Sequence, residues 1–319
     1  LIKGNNAEFI KEGNTLSSDQ FEGQSFDYIL SNPPFGREWK NEKAKVESEA
    51  KRGFAGRFGA GLPSVGDGQM LFLMTAISKM KEPKDGGSRV AIIHNGSPLF
   101  TGDAGSGPSD IRKYILENDL LEAIIALPND IFYNTGIATY IWVLSNKKKG
   151  TQREGKVQLI NANGLYEKRR KALGNKRNDI PDSAIEDITR LYGDFKTSEI
   201  SMIFDNEDFG YTKITVERPL RDEKGELVLK KGKKQHDYNL RDTENIPLKE
   251  NIEEYFKREV LPFAPDAWIG KPKSKIGYEI PFTRYFYKYE EPKPSAEIMK
   301  EILEIEKELD GALAEVFDV

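Results

Sequence analysis

The chain alternates between short apolar runs and longer segments in which apolar residues recur at helical spacing. The apolar runs of strand length predict strands at residues 26–30, 89–94, 121–127, 139–144 and 157–161. Helical spacing predicts helices at residues 69–80 and 108–117. Because strands and helices alternate, we predict an α/β fold with a mainly parallel, Rossmann-like sheet and helices on its faces.

The pattern changes in the second half of the chain. It predicts a helix at residues 181–192, a strand at 211–220 and a hairpin turn at 222–225. We therefore expect a catalytic-type domain over residues 1–165 and a C-terminal α+β region over residues 166–293.

A regular apolar stripe predicts a terminal helix over residues 294–319. Spacings of four and three positions separate the members of the stripe, which are Ile298, Ile302, Ile305, Leu309, Ala312 and Val316. A helix with such a face must bury it, so we expect this segment to dock into a helical bundle with a partner protein. Packing on the chain's own domain is the alternative.

The composition excludes several classes of protein. The 319 residues are 38% hydrophobic with a mean hydropathy of −0.60, and no apolar run exceeds strand length, so no membrane span is predicted. The absence of cysteine excludes disulfides and thiolate metal sites, and two histidines make a zinc site improbable, so no metal is expected. Without a basic, apolar signal pattern, a cytoplasmic setting fits best.

Charge is distributed unevenly. The net charge of −4 argues against tight nucleic-acid binding by this chain alone. Residues 146–178, however, carry eleven lysine or arginine residues against two acidic ones. We predict that this stretch follows a phosphate backbone, with Lys168 and Arg169 as contacts. A solvated surface loop is the alternative.

The segment Asn32-Pro33-Pro34-Phe35 directly follows the first predicted strand. Two consecutive prolines remove both backbone donors and form a rigid turn that presents acceptors. The Asn32 side-chain oxygen and the Pro33 carbonyl can accept both N–H bonds of an exocyclic amine, while Phe35 offers a ring face to the base. Adenine is the best target, since two acceptors favour an amine geometry suited to attack on a methyl group. A strand that ends in a Pro-stiffened turn is the alternative.

Asn32-Pro33-Pro34-Phe35 resembles the catalytic motif of the amino methyltransferases that use S-adenosylmethionine. The Phe form is typical of enzymes acting on adenine in DNA, and related signatures occur in methyltransferases for RNA and protein. Further motifs in the same order resemble the modification subunit of type I restriction–modification systems. They lie at residues 13–16, 66–73, 87–96, 127–144, 209–220 and 279–289.

This resemblance implies methylation of the exocyclic amino nitrogen of adenine in DNA, by direct displacement from S-adenosylmethionine. The implied partners are DNA, a DNA-specificity subunit and a restriction subunit that acts as translocase and nuclease. A methyltransferase for RNA or protein, or a non-catalytic fragment that serves as an interaction module, are the alternatives.

The resemblance also places a cofactor contact upstream of the catalytic motif. It puts Gly13, Asn14, Thr15 and Leu16 near the adenine of the cofactor and includes Asn32 among the cofactor contacts. The family more often has Asp where Asn14 stands, and an Asx-type turn is the alternative. No Gly-x-Gly pattern after a strand precedes the motif, so we expect an N-terminally truncated methyltransferase sheet with an incomplete cofactor site.

Residues 36–68 are Gly-rich and charged, which predicts a long functional loop that is mobile until DNA arrives. We expect Arg52 and Arg57 in this loop to meet phosphates. An amino group inside a duplex is inaccessible, so the base must flip out and be held by stacking. Phe132 or Tyr133 is the predicted second aromatic wall opposite Phe35, and a core position for these rings is the alternative.

Overall fold

The computed structural model describes residues 7–271, 274–289 and 291–317. The strands are, in chain order, β1 Tyr28–Ser31, β2 Arg89–Asn95, β3 Leu121–Ala126, β4 Thr139–Ser145, β5 Lys156–Asn161, β6 Glu167–Leu173, β7 Lys176–Asp179, β8 Ser201–Asp205, β9 Gly210–Glu217, β10 Leu229–Lys230, β11 Lys233–Lys234, β12 Asp242–Pro247, β13 Trp268–Ile269 and β14 Lys275–Tyr278. The α-helices are α1 Lys43–Ala50, α2 Gln69–Ser78, α3 Ser97–Phe100, α4 Gly107–Glu117, α5 Asp182–Asp194, α6 Ile252–Tyr255, α7 Phe282–Phe286 and α8 Ser295–Phe317. Short 3-10 turns lie at Gly53–Ala55, Pro83–Asp85 and Asn206–Phe209, and a π-helical turn at Phe256–Val260.

The central sheet contains six strands in the order β1-β2-β4-β3-β5-β8. β1 pairs in parallel with β2, and β3 pairs in parallel with β5. β4 and β8 run antiparallel to their neighbours. Since β1, β2, β3 and β5 all run in one direction, the predicted α/β class with a mainly parallel sheet is confirmed, and the two reversed strands make the sheet mixed.

Most side chains in the middle of this sheet are buried. Ile92, Trp142 and Ile124 lie side by side across β2, β4 and β3, and none of them exposes any surface. Helix α2 adds the fully buried Leu71 and Leu73. Burial of each such side chain stabilises the fold by about 1.5 to 3 kcal/mol, so these residues hold the strands in a fixed register.

Strand directions bring three connections to one edge of the sheet. β1, β2 and β3 run the same way, so the turn after β1 and the loops after β2 and β3 all leave the sheet at the same side. Ligands of open α/β sheets bind at this carboxyl edge. The predicted reactive turn therefore lies where the fold places a binding site.

A second, smaller sheet packs beside the first. β9 is its centre, with β12 on one side and β13 and β14 on the other. The buried guanidinium of Arg112 in α4 donates hydrogen bonds to the carbonyl oxygens of Tyr278, Pro98 and Thr101, which joins this sheet to the loop after β2.

The chain divides into two compact units, Leu1–Phe282 and Thr283–Val319. The domain boundary that we predicted after residue 165 lies inside the first unit, because β8 from the following segment pairs with β5. Within the described ranges, no helix is both long enough and apolar enough to cross a membrane.

Candidate active site

The Asn32-Pro33-Pro34-Phe35 turn follows β1 directly. Asn32 is exposed, Pro33 is buried and Phe35 is half-buried. Gly36 then takes a positive φ of 58°, a conformation that favours glycine and reverses the chain. No residue in the described part of the chain forms a hydrogen bond with the Asn32 side chain. The side-chain oxygen of Asn32 is therefore available to a ligand at the edge of the sheet.

The segment after the turn is held firmly. The indole nitrogen of Trp39, a side chain only 2% exposed, donates to the Ser64 carbonyl at 2.8 Å. The Trp39 backbone N–H donates to Val65, and Gly68 donates back to Arg37. These bonds fix the exit of the reactive turn against the segment that begins α2.

The interval between residues 36 and 68 is more ordered than we predicted. It contains α1 and a 3-10 turn, and it buries Val46 and Phe58 completely or nearly so. The prediction of one long loop is wrong here, because isolated apolar residues such as these give no periodic pattern and yet are buried. The mobility of this segment stays a prediction.

Arg57 lies inside the protein and not on a DNA-facing surface. Its guanidinium forms a two-pronged ion pair with Glu49, at 2.8 and 2.7 Å, and donates to the carbonyl oxygens of Thr15 and Leu16 at 2.7 and 3.0 Å. The Arg57 side chain is 11% exposed, whereas Arg52 is 56% exposed. We correct the expectation for Arg57: its donors are engaged with the protein, and Arg52 stays a candidate phosphate contact.

The predicted cofactor turn at Gly13–Leu16 has a local explanation. The Asn14 side-chain oxygen accepts from the backbone N–H groups of Leu16 and Ser17, and its amide donates to Glu42 at 2.8 Å. This is the Asx-type turn that we named as the alternative. The fit to a cofactor is therefore partial: Asn32 is free to contact one, whereas the polar atoms of Asn14 are already engaged.

The structure brings one of the two predicted aromatic partners to the reactive turn. The rings of Phe35 and Phe132 meet edge to face, with centroids 6.1 Å apart at 77°. Tyr133 is 61% exposed on the same loop, and the Lys176 amine lies 5.6 Å from its ring centroid. An edge-to-face contact covers at most one face of the Phe35 ring, so Phe132 leaves at least one face uncovered for stacking.

The two predicted phosphate contacts downstream differ in their surroundings. Lys168 is exposed on β6. The guanidinium of Arg169 pairs with the Asp179 carboxylate and lies near the Lys171 carbonyl. Arg169 shares the Asp179 carboxylate with the Lys176 amine, and its phosphate contact stays a prediction.

A polar network next to the turn was not predicted from the sequence. The buried Gln69 donates to both Asp67 carboxylate oxygens at 3.0 Å and to the Asn95 side-chain oxygen at 2.9 Å. It also accepts from the Asn95 backbone N–H, and Asp67 accepts from the Ser97 hydroxyl. The network fixes the carboxyl end of β2 against α2. The only sequence signal was that these residues lie in segments that carry the family resemblance.

His94 lies next to the last residue of β2. It is completely buried in β2, edge to face with Trp142 at 5.9 Å, and burial lowers its pKa to about 3. Within the described residues, neither ring nitrogen has a hydrogen-bond partner. His94 is therefore a neutral core side chain. The described residues also contain no group of His, Asp and Glu side chains suited to hold a metal ion.

Comparisons with known proteins agree with this geometry. The N-6 DNA Methylase family matches residues 1–221. The chain is similar to the type I restriction enzyme MjaIX and MjaVII methylase subunits of Methanocaldococcus jannaschii. Over 200 residues it is 28% and 30% identical to them, which is 62% and 61% of this chain and 33% and 32% of those proteins.

A solved structure gives the same result. The methyltransferase subunit of the type I restriction–modification system from Streptococcus thermophilus aligns with 61% of this chain and 38% of its own, at 27% identity and a TM-score of 0.50. The chain thus spans about a third of the length of these relatives. The resemblance to type I modification subunits is confirmed.

The family match covers the features that form the site. The reactive turn, the polar network around Gln69 and the loop with Phe132 all lie within residues 1–221. Since this match includes well over half of the 319 residues, the chain belongs to the N-6 DNA Methylase family.

Proposed function

We propose that the protein containing this chain methylates the exocyclic amino nitrogen of adenine in DNA. The observation that carries the proposal is the free Asn32 side chain beside the Phe35–Phe132 pair at the carboxyl edge of the sheet. An amine acceptor and an aromatic surface lie together there, as a flipped adenine requires. Membership of the N-6 DNA Methylase family supports the same reaction.

The roles of the residues follow from their positions. Phe35 stacks on the flipped base, and the edge-to-face contact with Phe132 supports the Phe35 ring. The Asn32 side-chain oxygen and the Pro33 carbonyl accept the two amine hydrogens and hold the nitrogen lone pair toward the methyl donor. S-adenosylmethionine, when bound, supplies an electrophilic methyl group. The buried Trp39 and Gln69 anchor the chain on either side, which keeps the acceptors in place.

We further propose that this subunit works with a DNA-specificity subunit and a restriction subunit, as its similarity to type I methylase subunits suggests. Helix α8 supports a docking role, because the described part of its apolar stripe is exposed. Ile298, Ile302, Ile305 and Leu309 are 43%, 50%, 64% and 60% exposed. The side chains of Ala312 and Val316 lie outside the described residues.

The test is methylation of DNA by the full-length subunit in its complex. Asn32→Ala removes one acceptor, so we expect methyl transfer to fall by about 100-fold or more, on the scale of a lost oxyanion donor, while DNA binding persists. Asn163→Ala is a matched control, because Asn163 is also exposed and also lies just beyond a strand, β5. Near wild-type methylation by the Asn32 variant would refute the role of this residue.

A further inference from the structure

The β6–β7 hairpin is strongly basic and lies outside the reactive turn. Residues 167–179 contain six lysine or arginine residues and two acidic ones. Asp179 pairs with Arg169 and, at 2.9 Å, with Lys176. The four remaining cations are exposed, and in the described ranges none has a carboxylate partner; they are Lys168, Arg170, Lys171 and Arg177.

In the described ranges, neither strand of this hairpin pairs with a strand of the central sheet. An isolated two-stranded hairpin is marginally stable in water, so something else must hold it. Its backbone N–H groups donate to the loop after β3: Asn175 to the Tyr133 carbonyl at 2.9 Å, and Arg177 and Asn178 to the Asp130 carbonyl at 2.9 and 3.1 Å. The hairpin is therefore held by hydrogen bonds to the loop that follows β3.

The turn of the hairpin is shaped for this contact. Gly174 has a φ of 60°, and a Cβ atom at this position would lie 2.6 Å from the Tyr133 carbonyl oxygen. A side chain here would be strained in its backbone and would collide with the loop. The close approach brings the tip of the hairpin against the residue next to Phe132.

The contacts connect the hairpin to the reactive turn in two steps. The hairpin bonds to Tyr133 and Asp130, and the same loop places the ring of Phe132 against Phe35. A base can reach Phe35 only by swinging out of the duplex on its own backbone. The phosphates on either side of that base must then pass beside the loop, where the four exposed cations of the hairpin lie.

We propose that the β6–β7 hairpin binds the phosphates that flank the flipped nucleotide, through Lys168, Arg170, Lys171 and Arg177. Its hydrogen bonds to the loop after β3 keep the phosphate contacts at a fixed position relative to the Phe35–Phe132 pair. The inference rests on the proposed function, since it assigns the DNA contact of that same site. Arg169 and Lys176 hold the hairpin together through Asp179 and are not part of this assignment.

The experiment compares two sets of four substitutions in the full-length subunit within its complex. One set is Lys168→Ala, Arg170→Ala, Lys171→Ala and Arg177→Ala. The control set is Lys230→Ala, Lys231→Ala, Lys233→Ala and Lys234→Ala, which removes the same charge from the exposed β10–β11 hairpin. Binding to a mixed-sequence DNA duplex is measured by fluorescence anisotropy over a range of salt concentrations.

Each lost phosphate contact reduces the slope of log affinity against log salt concentration by about 0.9. We expect the β6–β7 variant to lose about two to four units of slope and the control variant to keep the wild-type slope. An unchanged slope for the β6–β7 variant, or an equal loss in both variants, would overturn the assignment.

Gly174→Ala tests the contact between the hairpin and the loop after β3, because this variant retains every charge of the hairpin. We expect its salt slope to stay near that of the wild type while methyl transfer to unmethylated genomic DNA at saturating DNA slows at least tenfold. If the Gly174→Ala variant has a native circular dichroism spectrum and wild-type turnover, the contact between the hairpin and the loop has no role in methyl transfer. Failure of the proposed function is distinguishable, since the wild-type complex would then transfer no methyl group to DNA whatever the slopes are.

Discussion

The Arg57–Glu49 ion pair offers a direct test of how the segment at residues 36–68 is held against residues 15 and 16. Arg57→Ala removes two bonds to Glu49 and two to the carbonyl oxygens of Thr15 and Leu16. Glu49 would remain, largely shielded from water, without its main partner. Since Arg57 was expected from the sequence to meet DNA, the same variant separates a structural role from a binding role.

The size of the effect follows from burial. The side chains of Arg57 and Glu49 are 11% and 16% exposed. Removing one partner of a buried pair costs about 3 to 5 kcal/mol, and partial exposure places this pair near the lower end, at about 3 kcal/mol. Arg52 contacts the same carboxylate at 3.8 Å but is 56% exposed, so Arg52→Ala should cost less than about 1 kcal/mol.

The pH dependence supplies a second, independent measurement. Burial opposes ionisation of Glu49, but the side-chain and backbone N–H groups of Arg57 outweigh it and hold the pKa of Glu49 below its ordinary value of 4.5. A lowered carboxylate pKa stabilises the fold above the ordinary pKa, and this stabilisation is lost as the pH falls through the folded-state value. The difference between wild type and Arg57→Ala should therefore be largest near neutral pH and shrink below pH 4.5.

Urea unfolding of the full-length protein, followed by tryptophan fluorescence, measures the free energy of unfolding for wild type, Arg57→Ala and Arg52→Ala. Hydrogen exchange of the segment at residues 14–18 reports whether the turn that Arg57 holds opens locally. Equal stability of the two variants, or a difference that does not change with pH, would refute the assignment of Arg57 as a buried structural cation. A large loss of DNA affinity without loss of stability would restore the phosphate role.

Three further predictions concern the base, the cofactor and the partner protein. Phe35→Ala should weaken retention of the flipped base by about 1 to 3 kcal/mol, which is measurable as a loss of DNA affinity at the target site; unchanged affinity would argue against stacking. The 319-residue chain alone should bind S-adenosylmethionine weakly or not at all by calorimetry, because no Gly-x-Gly pattern after a strand precedes Asn32; a low-micromolar isotherm would contradict this. Ile305→Asp should abolish co-purification with the specificity subunit without changing the circular dichroism spectrum, since an unpaired buried charge costs several kcal/mol. Undiminished co-purification would mean that α8 docks elsewhere.

Local sequence was sufficient for much of the fold and for the reactive turn. Strand and helix periodicity is a property of neighbouring residues, so the α/β alternation could be predicted before any contact was known. Asn32-Pro33-Pro34-Phe35 is similarly local, because two prolines restrict the backbone wherever they stand. These features needed no information about distant parts of the chain.

Contacts between distant residues were beyond the sequence. Arg57 donates to Thr15, which is 42 positions away, and Gln69 binds Asn95 across 26 positions. Whether a cation is free or paired depends on which carboxylate the fold brings near it. A run of charged residues in the sequence does not predict this pairing. For this reason Arg52 and Arg57, or Lys168 and Arg169, are equivalent in the sequence and different in the structure.

The aromatic residues show the same division. Amino-acid type established that Phe35, Phe132 and Tyr133 can each stack on a base. Only the folded chain selects Phe132 as the ring that meets Phe35, because β3 ends at the same edge of the sheet as β1 and its loop reaches back to the turn. Chemistry is a property of the residue, whereas proximity is a property of the sheet order, and a site requires both.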